Sequence, residues 1–149
     1  MTNFSYLGSM QLTKETTAKY PIHLISVGGK TPSLILRPAG QANADYFNSL
    51  LKVSAKAAKA VAAGSVTLEM INETRDNDMD FFPRFVVVGW EDVYDAEGNE
   101  VKFSKATCGE FLKALPDHVF DEIRNFAGNM ANFVDGVDID VTAKNSQSG

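Results

Sequence analysis

Apolar positions repeat most regularly near the C-terminal end of the chain. Val119, Phe120, Ile123, Phe126, Ala127, Met130 and Phe133 recur every three or four residues, the period of a helix with one buried face. Asp117 stands where a helix of this kind takes its cap, and the pattern predicts one helix running to Phe133. Just before it, Ser104 can cap a short helix over 105–115, which Pro116 stops. Val93-Tyr94 and Val101-Lys102-Phe103 flank Asp95-Ala96-Glu97-Gly98-Asn99. That loop has hairpin turn chemistry, with Gly98 free to take a positive φ.

The first half alternates between strand and helix signals. Ile22–Val27 and Ser33–Arg37, separated by Gly28-Gly29-Lys30, predict a β-hairpin. Pro32 places the start of the second strand after it and suggests an edge position; Pro38 and Gly40 end that strand. Over 41–63, Phe47, Leu50, Leu51, Ser54, Ala57, Ala58 and Val61 fall near one helical face, with Asn43 as N-cap and Gly64 as stop. Lys52, Lys56 and Lys59 lie on the opposite face. They read either as a solvated surface or as a docking strip for an acidic partner or a neighbouring copy.

Three segments are less regular. Residues 1–20 are polar with scattered aromatics and suggest a loose arm, with a short strand near Leu7–Leu12. In 65–80, Leu68, Met70 and Ile71 fit a strand or a short helix. The most apolar run spans 81–90, where Pro83 suits a first helical turn and three valines favour a buried strand. Of the two, the run predicts a helix from Asp80 or Phe81 to Gly89. After Phe133 the pattern breaks down among Asp135, Gly136, Asp138 and Asp140, and 142–149 reads as a flexible tail. The fold class expected is therefore α+β: an N-terminal β-hairpin followed by a mainly helical domain, with a second short hairpin near 93–103. Its expected organisation is an arm over 1–20, one domain over 21–134 and a tail over 135–149.

Composition narrows the function classes. At 149 residues, 44% hydrophobic and 22% charged, the chain has the make-up of a globular domain rather than a collagen, a disordered acidic tail or a disulfide scaffold. A net charge of −5 argues against a nucleic-acid binder. That charge is unevenly placed. Residues 1–64 hold seven Lys/Arg against two acids, whereas 65–149 hold seven against seventeen. The lone Cys108 cannot form an intrachain disulfide and fits a reducing, cytoplasmic setting. No apolar run reaches the roughly 20 residues that span a bilayer, and the N-terminus lacks signal-peptide character, so no membrane role is expected.

Candidate chemistry is sparse. His23 and His118 fall in a predicted strand and a first helical turn, contexts that need no catalytic role. Asp76-Asn77-Asp78-Met79-Asp80 opens like a calcium loop, but Phe81 and Val87 stand where that loop needs Gly and Glu. Asp92, Asp95, Glu97 and Glu100 surround one turn, as surface acids often do. Gly28-Gly29-Lys30 lacks the spacing of a phosphate-binding loop. The ten Phe, four Tyr and one Trp are not interleaved with basic residues, as an RNA-stacking surface would require. No catalytic, cofactor or metal residue is assigned, and no small-molecule substrate is expected. A binding or assembly protein is expected rather than an enzyme.

One stretch carries a resemblance. Val86-Val87-Val88-Gly89-Trp90-Glu91-Asp92-Val93 is followed by Asp95-x-x-Gly98, Val101-x-Phe103-Ser104, a short helix, Leu115-Pro116 and a last helix ending at Phe133. This order resembles the tail assembly chaperones of long-tailed bacteriophages and related small phage tail proteins. In them a Gly-Trp ends an apolar helix, a V-x-F-S strand enters a helix, and an L-P break precedes the last helix. Ile25 through Leu51 fits more loosely, with L-x-L-R-P before a helix carrying Asn43, Tyr46 and Leu50.

The resemblance implies a non-enzymatic assembly role in the host cytoplasm, binding the tape measure protein and helping to recruit tail-tube subunits. It further implies a partner-binding apolar groove drawn from Phe81, Phe85, Trp90, Phe120, Phe126 and Phe133. Lys52, Lys56 and Lys59 are candidates for electrostatic docking, including self-association. The alternative is a structural subunit retained in the virion, such as a tail, neck or capsid-accessory protein.

Overall fold

Tyr20, Leu34, Leu36, Val87 and Trp90 point to one side of a small sheet, and the helices close over that side. The computed structural model describes residues 2–140; the expected tail over 142–149 lies outside them. Three antiparallel strands, β1 (Ala18–Pro21), β2 (Ser33–Leu36) and β3 (Val87–Glu91), run in the order β1-β2-β3. Leu34 faces Tyr20 on one side and Trp90 on the other. Ile35 pairs with Gly89 but Leu36 with Val87, so Val88 is skipped and bulges outward. The architecture is α+β, as the patterning predicted.

The N-terminal hairpin uses different residues from those expected. Its first strand is Ala18–Pro21, inside the expected arm, and pairs with Ser33–Leu36. Residues 22–32 form the connection. There Gly28 and Gly29 take φ of 59° and 79°, and Val27 and Lys30 exchange both backbone hydrogen bonds, making the tight turn the Gly-Gly pair predicts. Nor does β2 lie at an edge. Pro32 stands one residue before the ladder, so its missing N–H weakens nothing, and β2 becomes the central strand with Leu34 and Leu36 fully buried. Leu7–Leu12 forms no strand: Ser5–Met10 is a 3-10 turn that buries none of its residues.

The helix expected over 41–63 is two helices, α1 (Ala44–Val53) and α2 (Ala55–Ala63). Ser54 separates them. It adopts an extended conformation (φ −157°, ψ 97°), its N–H closes α1, and its side chain accepts from Ala57 N–H to open α2. Asn43 caps α1 through Tyr46 N–H, and Gly64 ends α2 at φ 68°, both as predicted.

The ambiguous 65–80 segment is helical. α3 (Leu68–Phe81) starts at Thr67, whose hydroxyl caps Met70 N–H. The expected helix from Asp80 to Gly89 is not formed. Instead α3 ends in a π-helical turn over Phe82–Val86, and the valines continue into β3. Pro83 supplies the reason: it has no N–H for an α-helical bond and its ring crowds the preceding turn. The turn widens, and Val87 N–H reaches back to the Phe82 carbonyl.

The second hairpin is present around 93–101. Tyr94 bridges Glu100, Gly98 has φ 84°, and the Asp95 carboxylate accepts from Glu97 and Asn99 N–H. Ser104 and Thr107 then form a reciprocal capping box for α4 (Lys105–Ala114). α5 (Asp117–Gly128) starts after Pro116 but stops short of Phe133. Asn129 leaves the helical region and caps a separate 3-10 turn over Met130–Phe133. The core joins the sheet to all five helices, with Phe82 and Phe120 in edge-to-face contact at 5.6 Å. Cys108 is wholly buried within it, and burial pushes its thiol up to about 12.

Candidate functional site

The six aromatic residues singled out from the sequence do not line one open groove. Phe120 is fully buried, and Phe81 and Phe133 are only 6% and 8% exposed. Phe85, Trp90 and Phe126 are half-buried and pack against the core. They also divide among three places. Phe81 stacks near Tyr46 and Phe85, whose own face carries the Arg84 guanidinium at 4.7 Å. Phe126 sits between Tyr20 and Phe133 at the end of α5. Trp90 packs edge-on against Phe103 and Phe111, and its indole N–H donates to the Val101 carbonyl at 2.9 Å. Trp90 thus fastens the second hairpin and α4 to β3. It lies within a strand, whereas the Gly-Trp of the resembling proteins ends a helix.

The lysines fare differently. Lys52, Lys56 and Lys59 are all exposed, on the end of α1 and on α2, and form no ion pair among the described residues. Lys14, Lys102, Lys105 and Lys113 share this state, whereas four other cations are engaged. Lys19 pairs with Glu91, Arg84 with Asp80, and Arg75 and Arg124 with Asp121. The break at Ser54 means that the three lysines share a bent surface rather than one straight helical face.

Reading the sequence missed a buried polar cluster beneath a cavity of about 250 Å³ between α1, α2, α3 and α5. Arg124 Nε donates to Asp78 Oδ2 at 2.8 Å, Nη1 to the Ile71 carbonyl and Asp121, and Nη2 to the Thr74 hydroxyl at 2.7 Å. Tyr46 donates its hydroxyl to Asp78 Oδ1 at 2.8 Å, and Arg75 forks onto Asp121. Burial pushes the Asp78 carboxyl above its ordinary 3.8, against the pull of Arg124 and Tyr46. Burial also raises the Tyr46 phenol well above its ordinary 10.0, so it remains a donor. Arg75, followed by Arg124, holds Asp121 below its ordinary value.

With both Asp78 oxygens and four Arg124 N–H groups occupied within the chain, the cluster works as an interhelical clamp, not as an open acid–base pair. Its signal in the sequence was a charged residue on the apolar face of α5: Arg124 lies four residues after Phe120 and three before Ala127. Asp76, Asp78 and Asp80 lie along α3, so the calcium-like spacing is carried on a helix rather than a loop. Among the described residues, no three His, Cys, Asp or Glu side chains converge to hold a metal ion. His23 and His118 are exposed. No helix among the described residues is long and apolar enough to cross a membrane.

No curated protein and no solved structure gives a significant match to the chain. One family does match, described as "YdaY prophage protein", over residues 41–145. That span runs from the loop before α1 through the second hairpin, α4 and α5, and covers 105 of the 149 residues. The chain therefore belongs to the YdaY prophage protein family and is phage-derived.

Proposed function

We propose that this protein is a phage tail assembly factor of the chaperone type, which acts by binding the tape measure protein and helps to recruit tail-tube subunits. The observation that carries this reading is the ordered pattern over 86–133, set in a chain of a prophage family. One feature of that pattern has matching local structure, Leu115-Pro116 separating α4 from α5, and a second matches in part: V-x-F-S enters the α4 capping box at Ser104 but forms no strand. The Gly-Trp feature departs from it, as Gly89-Trp90 lies in β3.

A binding role also fits the exposed aliphatic side chains around α1 and the start of α3. Leu51, Val53, Val66 and Leu68 are 49%, 53%, 45% and 74% exposed, and a partner segment gains free energy by covering such surface. The partner contact is accordingly placed there, with Lys52, Lys56 and Lys59 at its border, and not on the buried aromatics. Assembly would take place in the host cytoplasm.

The test is co-expression with the tape measure protein from the same prophage, together with mass spectrometry of purified virions. A tail chaperone raises the soluble yield of the tape measure and is absent from finished particles. Abundant peptides in the virion would instead support a structural subunit. An unchanged soluble yield would sink the chaperone reading.

A further inference from the structure

We infer that the cavity between α1, α2, α3 and α5 binds a small neutral molecule with an apolar body and one hydrogen-bond acceptor, which Arg124 holds. The inference does not rest on the tail-assembly reading, because it concerns a space inside this chain. The cavity measures about 250 Å³, and Leu50, Ala57, Val61, Met70, Ile71 and Phe82 form its apolar walls. Closely packed interiors keep few voids larger than a water molecule, because the lining of an empty space loses its contacts. Ala57 shows why this one stays open: it is 2% exposed, lines the cavity and has nothing beyond Cβ to fill it. Gly64, Val66 and Asn129 line the cavity but are exposed, and so mark its mouth.

The polar side of the cavity sets the chemistry of its occupant. Arg124 lines it and is 8% exposed, and a guanidinium has five N–H donors. Four are used, by Asp78, the Ile71 carbonyl, Asp121 and Thr74. The fifth, the second N–H on Nη2, has no acceptor among the described residues, and a ligand oxygen in the cavity supplies one. The occupant is neutral because the charges around it already balance. Arg75 and Arg124 offset Asp78 and Asp121, so an ion entering the cavity finds no counter-charge left. A carbonyl, ether or hydroxyl oxygen meets the donor without that cost. Size follows from the volume: an engineered protein cavity of about 150 Å³ takes benzene, so this one admits a ring with a short polar substituent. An aliphatic side chain of a protein partner would cover the walls but leave the Arg124 N–H unmatched.

The experiment is a heteronuclear NMR titration of the full chain with acetophenone, ethylbenzene and benzoate, which share a ring and differ in acceptor and charge. Acetophenone is expected to shift the Ala57, Val61, Met70 and Ile71 signals saturably. Ethylbenzene, which has no acceptor, should bind at least about fivefold more weakly, the loss of one hydrogen bond. Benzoate should also bind more weakly than acetophenone, since its charge is left without a partner. Ala57→Leu fills the space and should weaken acetophenone at least about tenfold. Val61→Phe, at a half-buried position, repeats that test where Ala57→Leu does not fold, and circular dichroism checks both. An absence of saturable shifts at the lining residues would overturn the inference. So would ethylbenzene or benzoate matching acetophenone, or a folded, filled variant that binds acetophenone unchanged.

Discussion

Arg124 occupies the apolar face of α5, and its charge is carried inside the protein by Asp78 on α3, itself bonded to Tyr46 on α1. Removing one partner leaves the other charge buried and unpaired, which costs about 3–5 kcal/mol, whereas replacing both by apolar groups is often near neutral. Arg124→Met is thus expected to lower the urea midpoint sharply, and Asp78→Leu in the same chain should recover most of the loss. Acid unfolding probes the exposed end of the cluster. Because Arg75 and Arg124 depress Asp121 in the folded state, its contribution is present above the ordinary carboxylate value of 3.8 and lost as pH falls through the folded one. Asp78 has the opposite sign: burial raises it, so its contribution is largest below 3.8 and declines as pH rises through its folded value. Asp121→Asn should therefore flatten the loss of stability between about pH 5 and pH 3, read from urea midpoints across that window. In the sequence only Arg124, a charge on an apolar helical face, signals this cluster; a run such as Asp76–Asp80 does not say which carboxylate the fold will bury.

Helix and strand signals were legible where short-range chemistry decides the outcome. Asn43, Gly64, Gly28-Gly29, Gly98 and Ser104 act as caps or turns where their residue types predict, since each satisfies backbone groups only a few residues away. Ser54 shows the limit of periodicity. It falls on the predicted apolar face of one long helix, yet its side chain competes for the backbone and starts a second helix. Ser54→Ala should remove the α2 cap at a cost of about 1 kcal/mol, measured as a lower urea midpoint with an unchanged slope. A large gain in helicity on that substitution would instead mean that the cap, rather than packing of Leu50 and Ala58, maintains the bend. The run 81–90, which predicts a helix, forms a π-helical turn and β3 for a related reason. Pro83 and three valines support both a helix start and a strand, and only pairing with β2 selects the strand.

At the scale of the whole molecule, the family match begins at residue 41, while β1 and β2 come from the residues before it. These preceding residues nonetheless belong to the core, because Leu34 and Leu36 are fully buried between sheet and helices. Leu34→Ala is expected to cost about 2–5 kcal/mol. Deleting residues 2–10 should leave the thermal midpoint almost unchanged, since Ser5–Met10 buries nothing and Phe4 is 59% exposed. Calorimetry of the two variants compares them directly, and a large destabilisation by the deletion would show that the arm packs on the body. The opposite charges of the two halves of the sequence become, in the fold, an unpaired lysine surface on α1–α2 and acids on the second hairpin.

Sequence alone determined the α+β class, most caps and turns, the five-phenylalanine-and-tryptophan set of candidate contacts, and the polarity of charge. These follow from local hydrogen bonding and from the periodicity of burial, both properties of neighbouring residues. Tertiary structure alone decided that most of those aromatics are spent in the core, that the central strand is Ser33–Leu36, and that Asp78 and Arg124 meet 46 residues apart in the chain. Each of these depends on which distant surfaces pack together, and packing is a property of the pair that no single segment carries.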